Sequence, residues 1–138
     1  MVLNSTAASG TTGSTPPTTT TFNPVSSSGN YIAYAFHSVA GYSKIGTYTG
    51  NGVSGNAIAT GFEPAFVMIK AFSVSGAWYV FDNKRTTGVY SNQLMMNSIN
   101  AETTNTYIEL TSTGFTLNTT ASDLNNSGAT FIYMAFAI

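Results

Sequence analysis

The sequence predicts an all-β fold: an antiparallel β-sandwich of jelly-roll type with eight or nine short strands and an extended N-terminal arm. Three observations support this prediction. Short segments alternate apolar and polar residues, and turn-forming residues recur about every ten positions. No window of helical length repeats apolar residues at i, i+3, i+4 and i+7. Many short strands separated by turns are typical of sandwiches and jelly rolls.

The last predicted strand, residues 129–138, is echoed earlier by residues 30–37. Each segment follows a Ser-Gly pair, contains an aromatic residue before Ile, and has an Ala-Phe pair near its end. Both are apolar at alternate positions and also at the positions between, as in strands covered on both faces. We therefore expect both segments to lie at the centre of a sheet.

The other predicted strands follow in chain order. Residues 57–60 are expected to pair back on the strand before them, and residues 90–97 are read as a strand in preference to a helical turn. A turn at residues 112–114 predicts a hairpin between its flanking segments. The predicted strands are 31–37, 42–49, 57–60, 65–72, 78–81, 90–97, 107–110, 115–117 and 129–138.

Residues 1–29 form a Ser/Thr-rich arm, and residues 30–138 form the predicted sandwich domain. Ser and Thr supply 14 of the first 29 residues, and the first charged side chain is Lys44. Pro16 and Pro17 stiffen the arm, while the β-branched run containing Thr20 and ending at Phe22 favours extended structure. The arm either adds a strand to its own sheet or docks on a neighbouring subunit. Residues 18–36 either repeat the hairpin of residues 113–136 or resemble it by chance.

The composition argues against several classes of function. Charged residues make up 7% of the 138-residue chain, the net charge is −1, and no basic stripe is present to follow a nucleic acid backbone. Low net charge favours association over a dispersed monomer. There is no cysteine, so disulfides and thiolate metal sites are excluded. The first residues predict no signal peptide, and no apolar run predicts a membrane span.

Candidate catalytic residues are few. His37 is the only histidine, and Asp82 or Asp123 would complete a Ser-His-Asp triad, but the sequence has no Gly-x-Ser-x-Gly elbow. Glycoside hydrolysis needs two carboxylates across a cleft, and no acid has a second one near it in the sequence. The five acids are Glu63, Asp82, Glu102, Glu109 and Asp123. We predict no catalytic residues and no enzyme activity.

Two further patterns have both a binding and a structural interpretation. Asp123 with Asn125 and Asn126, or Asp82 with Asn83, offers oxygen ligands of the kind calcium prefers, but loop capping explains both groups equally well. Trp78 and Tyr79 are candidate aromatics for stacking on a sugar, although adjacent aromatics in a strand more often serve the core. No metal or cofactor is predicted.

Five segments in this order resemble a domain found in virion proteins of tailed bacteriophages, especially marine ones, often beside concanavalin-like (laminin-G-like) sandwich regions. The resemblance covers about residues 29–138. It rests on residues 31–36, 41–52, 61–70, 78–85 and 133–136, which read YIAYAF, GYSKIGTYTGNG, GFEPAFVMIK, WYVFDNKR and YMAF. It implies a phage structural protein, either a head decoration protein or part of a tail fibre. It implies no catalytic residues.

The resemblance and the composition together predict a decoration or cement protein on the virion surface. Such a protein would be made in the host cytoplasm, and would bind other copies of itself and virion proteins such as the major capsid protein. It would bind neither nucleic acid nor membrane. One alternative is a tail-fibre or lectin-like module that binds a host glycan, and another is the subunit of a self-assembling surface filament.

Overall fold

The computed structural model describes residue 6 and residues 18–21, 34–85 and 91–138, which include nine strands and one short helix. The helix, α1, spans Ser122–Asn125. The strands are β1 (Ser43–Thr49), β2 (Asn56–Ala59), β3 (Phe66–Ala71), β4 (Trp78–Asp82), β5 (Ser91–Met95), β6 (Thr103–Asn105), β7 (Ile108–Thr111), β8 (Gly114–Leu117) and β9 (Thr130–Phe136).

These strands form two antiparallel sheets, so the predicted all-β sandwich is confirmed. The larger sheet has the order β1-β9-β3-β4-β5-β6, and the smaller has the order β2-β8-β7. As expected of a strand that is apolar on both faces, β9 lies in the interior of the sheet, where it pairs with β1 on one side and β3 on the other; it is second from the edge. The predicted β7–β8 hairpin is also confirmed. By contrast, β2 pairs with β8 and not with the strand before it.

The core lies between the two sheets and is rich in aromatic side chains. From the larger sheet, Tyr48, Phe131 and Tyr133 face inward, with the Tyr48 and Phe131 rings stacked 4.9 Å apart. Phe115 of the smaller sheet meets Tyr133 edge to face at a centroid distance of 5.4 Å. Edge-to-face and offset-stacked rings stabilise a core beyond the contribution of their buried area.

The buried amide of Asn125 holds the loops at one end of the sandwich together. Its Oδ1 accepts hydrogen bonds from the Asn51 backbone amide at 3.0 Å and from Asn56 Nδ2 at 2.9 Å. Its Nδ2 donates to the carbonyls of Val53 and Thr119, both at 2.8 Å, and to Asn51 Oδ1 at 3.1 Å. One side chain at the end of α1 thus joins the β1–β2 connection to Thr119, which lies before α1.

Gly50 allows those two loops to approach each other. Its amide donates to the Ala129 carbonyl, and its carbonyl accepts from the Gly128 amide, each at 2.9 Å. A Cβ added at Gly50 would overlap the backbone carbonyl of Asn126. The Gly50-Asn51-Gly52 segment after β1 is therefore a site of close backbone contact.

Two predictions for the N-terminal region need correction, and a third concerns residues that the structure does not describe. Residues 34–37 are not a strand, because they have no ladder partner; the Tyr34 side chain is 82% exposed. Residues 18–21 form a local turn in place of the predicted extended run, because Thr18 Oγ1 accepts hydrogen bonds from the amides of Thr20 and Thr21. The candidate arm residues Pro16, Pro17 and Phe22 lie outside the described residues.

The sequence pattern did not predict strand β6 or helix α1. Strand β6 is three polar residues long, and α1 is a single turn, so neither has a periodic apolar signal. Both were placed in loops by the sequence pattern. Each depends on a partner elsewhere in the chain, with β6 pairing on β5 and Leu124 of α1 entering the core.

The buried hydroxyl of Tyr48 predicts a loss of stability in alkali. This hydroxyl donates to the Leu124 carbonyl at 2.6 Å, and burial, followed by the negative charge of Asp123, raises the pKa of Tyr48 well above its usual value. Above about pH 10 an unfolded tyrosine loses its proton while Tyr48 keeps its own, so stability falls as pH rises, by about 1.4 kcal/mol per pH unit for each such group.

We therefore expect Tyr48→Phe to make the free energy of unfolding less dependent on pH between pH 10 and 12. Urea titrations at several pH values would measure it. The variant should be about 1 kcal/mol less stable than the wild-type protein at pH 7, because it lacks the hydrogen bond. Parallel pH curves for the two proteins above pH 10 would contradict the assignment.

Candidate assembly surface

A row of apolar side chains crosses the face of the larger sheet that points away from the core. Pairing registers place one side chain from each of five adjacent strands in a single row across this face. At the usual strand spacing the row is about 19 Å wide. We call these residues the apolar row: Ile45, Met134, Met68, Val80 and Leu94.

Only one side of β9 faces the core. Its inward residues Phe131, Tyr133 and Ala135 are buried in the core, whereas Ile132, Met134 and Phe136 alternate with them on the outer face and are half-buried. A strand that is apolar on both sides is typical of a sheet covered on both faces. The smaller sheet covers the inner face, and no second sheet within the described ranges covers the outer face.

A groove of about 310 Å³ runs along this outer face. Ile45, Met68, Ile132 and Met134 line it together with Trp78. Methionine side chains adapt to irregular surfaces, and contiguous apolar surface of this kind marks a site of association in soluble proteins.

At one end of the groove three donors converge on the carbonyl oxygen of Thr6. The Gly76 amide donates to it at 2.8 Å, Ser75 Oγ at 3.0 Å and Lys70 Nζ at 3.3 Å. We call Lys70, Ser75 and Gly76 the Thr6 cradle. The cradle binds backbone and not side chain, so it holds a chain segment without selecting its residue type.

Lys70 is the charged group of the cradle, and its side chain is 0% exposed. Its ammonium also donates to the carbonyls of Ala71 and Gly76, each at 3.0 Å. Burial lowers the pKa of Lys70, since removal from water disfavours the charged form. A buried ammonium is stable only with acceptors around it, and the Thr6 carbonyl is one of those acceptors.

At the other end of the outer face lies an aromatic patch. The rings of Phe36 and Tyr42 each meet Phe136 edge to face at 6.1 Å, and Phe66 lies 6.2 Å from Phe136. Both Phe36 and Tyr42 are more than half exposed. Two parts of the N-terminal half of the chain, Thr6 and Phe36, therefore contact this face at opposite ends.

The two candidate sugar-stacking residues do not share a site. Adjacent residues of a strand point to opposite faces. Tyr79 faces the core, is 6% exposed, and donates its hydroxyl to the Asp123 carboxylate. Trp78 lies on the outer face, where it lines the groove. The structure therefore separates the predicted pair and places Trp78 alone beside the apolar row.

Three of the five acids, Asp82, Glu102 and Asp123, are held in contacts with other side chains. Asp82 Oδ1 accepts from the amides of Lys84 and Arg85, as a loop cap does, and its Oδ2 pairs with Arg85 Nε at 2.5 Å. Arg85 also pairs with Glu102, a contact that sequence spacing did not reveal. Burial opposes ionisation of Asp82, but the hydrogen bonds from Arg85 and Lys84 outweigh it and lower its pKa. A general acid needs the opposite shift.

The remaining candidates are separate. Among the described residues His37 lies in an exposed segment, with no aspartate within ion-pair distance; its carbonyl accepts a hydrogen bond from Ser43 Oγ at 3.0 Å. Asn125, considered above as a calcium ligand, uses its side chain to bind the loops. Within the described ranges no three His, Asp or Glu side chains are grouped to hold a metal ion.

No helix in the described part of the chain is long and apolar enough to cross a membrane. No curated protein and no solved structure matches the chain significantly. One family model, described as a domain of unknown function, matches residues 1–138. The chain therefore belongs to the DUF7483 family.

Proposed function

We propose that the protein is a structural component of a bacteriophage particle that assembles with copies of itself, as a head decoration or cement protein. The observation that carries the proposal is the apolar row, which extends over five strands on a face that the smaller sheet leaves uncovered. Buried between subunits, such a face would supply a continuous hydrophobic interface core.

The charge distribution supports the same proposal. Nine acidic and basic residues in 138 leave a surface built mainly from Ser, Thr, Asn and Gly, which allows close approach of like subunits with little electrostatic repulsion. The phage context rests on the five-segment resemblance to virion proteins. The major capsid protein is the partner expected for a decoration protein.

Electron microscopy of the native assembly tests this proposal. A decoration protein is expected as regular protrusions on an icosahedral head. A threefold tip would favour the tail-fibre alternative, and a helical array would favour the filament. A protein recovered only outside particles, and never associated with capsids on co-expression, would contradict the proposal.

Removal of residues 1–22 is a second test, because it deletes Thr6 from the cradle. Most of the buried core lies in residues 43–138, so we expect the truncated protein to fold. It should no longer join particles. Circular dichroism would report the fold, and sedimentation with capsids would report incorporation. Full incorporation of the truncated protein would contradict a role for the arm in assembly.

A further inference from the structure

We propose that the Thr6 cradle binds the leading segment of a second copy of this chain, so that neighbouring copies are joined by exchanged N-terminal segments. This inference rests on the proposed function and deepens it, because it names the site and the partner of assembly. The partner is a backbone carbonyl delivered by an identical chain.

The donors of the cradle can bind the same carbonyl from any copy of the chain. Lys70, Ser75 and Gly76 aim an ammonium, a hydroxyl and an amide at one carbonyl oxygen. Because all three bind the main chain, Thr6 of any copy satisfies them equally. The fully buried Lys70 ammonium makes occupancy of the cradle favourable, since withdrawal of a carbonyl would leave the charge less well compensated.

The chain between Thr6 and Tyr34 is long enough to reach an adjacent copy. Tyr34 follows Thr6 by 28 positions in the chain. Such a length of chain spans up to about 90 Å when extended. A domain of this size is about 35–40 Å across. Thr6 can therefore reach its own cradle or that of an adjacent copy, and exchange of an identical segment is a low-cost route to assembly.

The cradle lies next to the proposed interface between copies. The cradle opens beside the groove, since Lys70 and Trp78 form a cross-strand pair and both line it. Copies that pack through the apolar row therefore bring one cradle close to the leading segment of the next copy. This packing raises the local concentration of one copy's leading segment at the cradle of the next copy, which favours binding between copies without any new contact.

Disulfide cross-linking between introduced cysteines tests the exchange of leading segments in the full-length protein, which has no cysteine of its own. Thr6→Cys and Ser75→Cys are made as separate variants, one is labelled with ¹⁵N, and the two are mixed, unfolded, refolded together and oxidised. We expect a disulfide-linked heterodimer in which mass spectrometry joins position 6 of one copy to position 75 of the other. Ser112→Cys in the exposed β7–β8 turn replaces Ser75→Cys as the control, and should give only background linkage.

The single chain carrying both Thr6→Cys and Ser75→Cys gives the opposing result. If it forms only an intramolecular disulfide, and the mixed variants stay unlinked, then Thr6 binds its own cradle and the proposal is overturned. Assembly of the wild-type protein is measured in parallel by light scattering. Assembly without linkage between positions 6 and 75 would refute the exchange alone, whereas absence of assembly would also refute the proposed function.

Lys70→Met provides an independent test that uses no cross-link. It keeps an apolar side chain of similar length and removes the ammonium that binds the Thr6 carbonyl. We expect at least tenfold weaker self-association, and we expect Lys44→Met, a substitution at an exposed lysine of β1, to have no effect. Unchanged association of Lys70→Met would contradict the role of the cradle.

Discussion

Replacing Asn125 with leucine is expected to lower the free energy of unfolding by about 3 kcal/mol and the Tm by about 10 °C. Leucine has nearly the same shape as asparagine but accepts and donates no hydrogen bonds. The substitution would remove all five bonds of the Asn125 amide, including those to the carbonyls of Val53 and Thr119. Buried polar groups that lose their partners account for most of the expected destabilisation.

Thermal unfolding followed by circular dichroism measures this effect. Asn100→Leu is the matched control, because Asn100 is exposed in the β5–β6 connection and its side chain holds no loop together. The control should stay within about 0.5 kcal/mol of the wild-type protein. Equal Tm values for the two variants would show that the Asn125 contacts do not stabilise the sandwich.

The second large effect is on assembly. Met134→Glu places a carboxylate within the apolar row, on strand β9, where Met134 lies between Ile45 and Met68. If this face is buried between copies, the carboxylate must leave water without a designed partner, and we expect self-association to weaken at least 100-fold. Met134 is half-buried, so the fold itself should lose no more than about 2 kcal/mol.

Light scattering over a range of concentrations would report the association, and urea titration would report the fold. Ala57→Glu is the matched control, because it adds the same charge to an exposed position of β2 on the smaller sheet. It should assemble like the wild-type protein. Equal association of the two variants would show that the outer face is not the interface.

The sequence pattern predicted the fold well where the signal is local. The interior position of β9 followed from its apolar residues on both sides, and the β7–β8 hairpin followed from the turn at residues 112–114. Periodicity reports which faces of a strand are apolar, but it does not report which strand pairs with it. The partner of β2 therefore could not be predicted, because β8 lies far along the chain.

The candidate site was less accessible to sequence reasoning for the same reason. Lys70 follows four apolar residues inside the predicted strand 65–72, and nothing in this pattern indicates that its ammonium is buried. Its burial depends on the carbonyls of Ala71 at the end of β3, of Gly76 in the loop that follows, and of Thr6, 64 positions earlier. The similarity of residues 30–37 to β9 was likewise a poor guide, since segment 34–37 has the propensity of a strand but forms no ladder with any described strand.

Methionine oxidation offers the most direct test of whether the outer face is buried between copies. Met68 and Met134 lie in the apolar row, whereas Met96 lies just beyond β5 and is 51% exposed. Mass spectrometry after brief peroxide treatment would compare assembled protein with the dissociated Lys70→Met variant. We predict that assembly slows sulfoxide formation at Met68 and Met134 and leaves Met96 reactive. Equal oxidation of Met68 and Met134 in the two states would contradict the account.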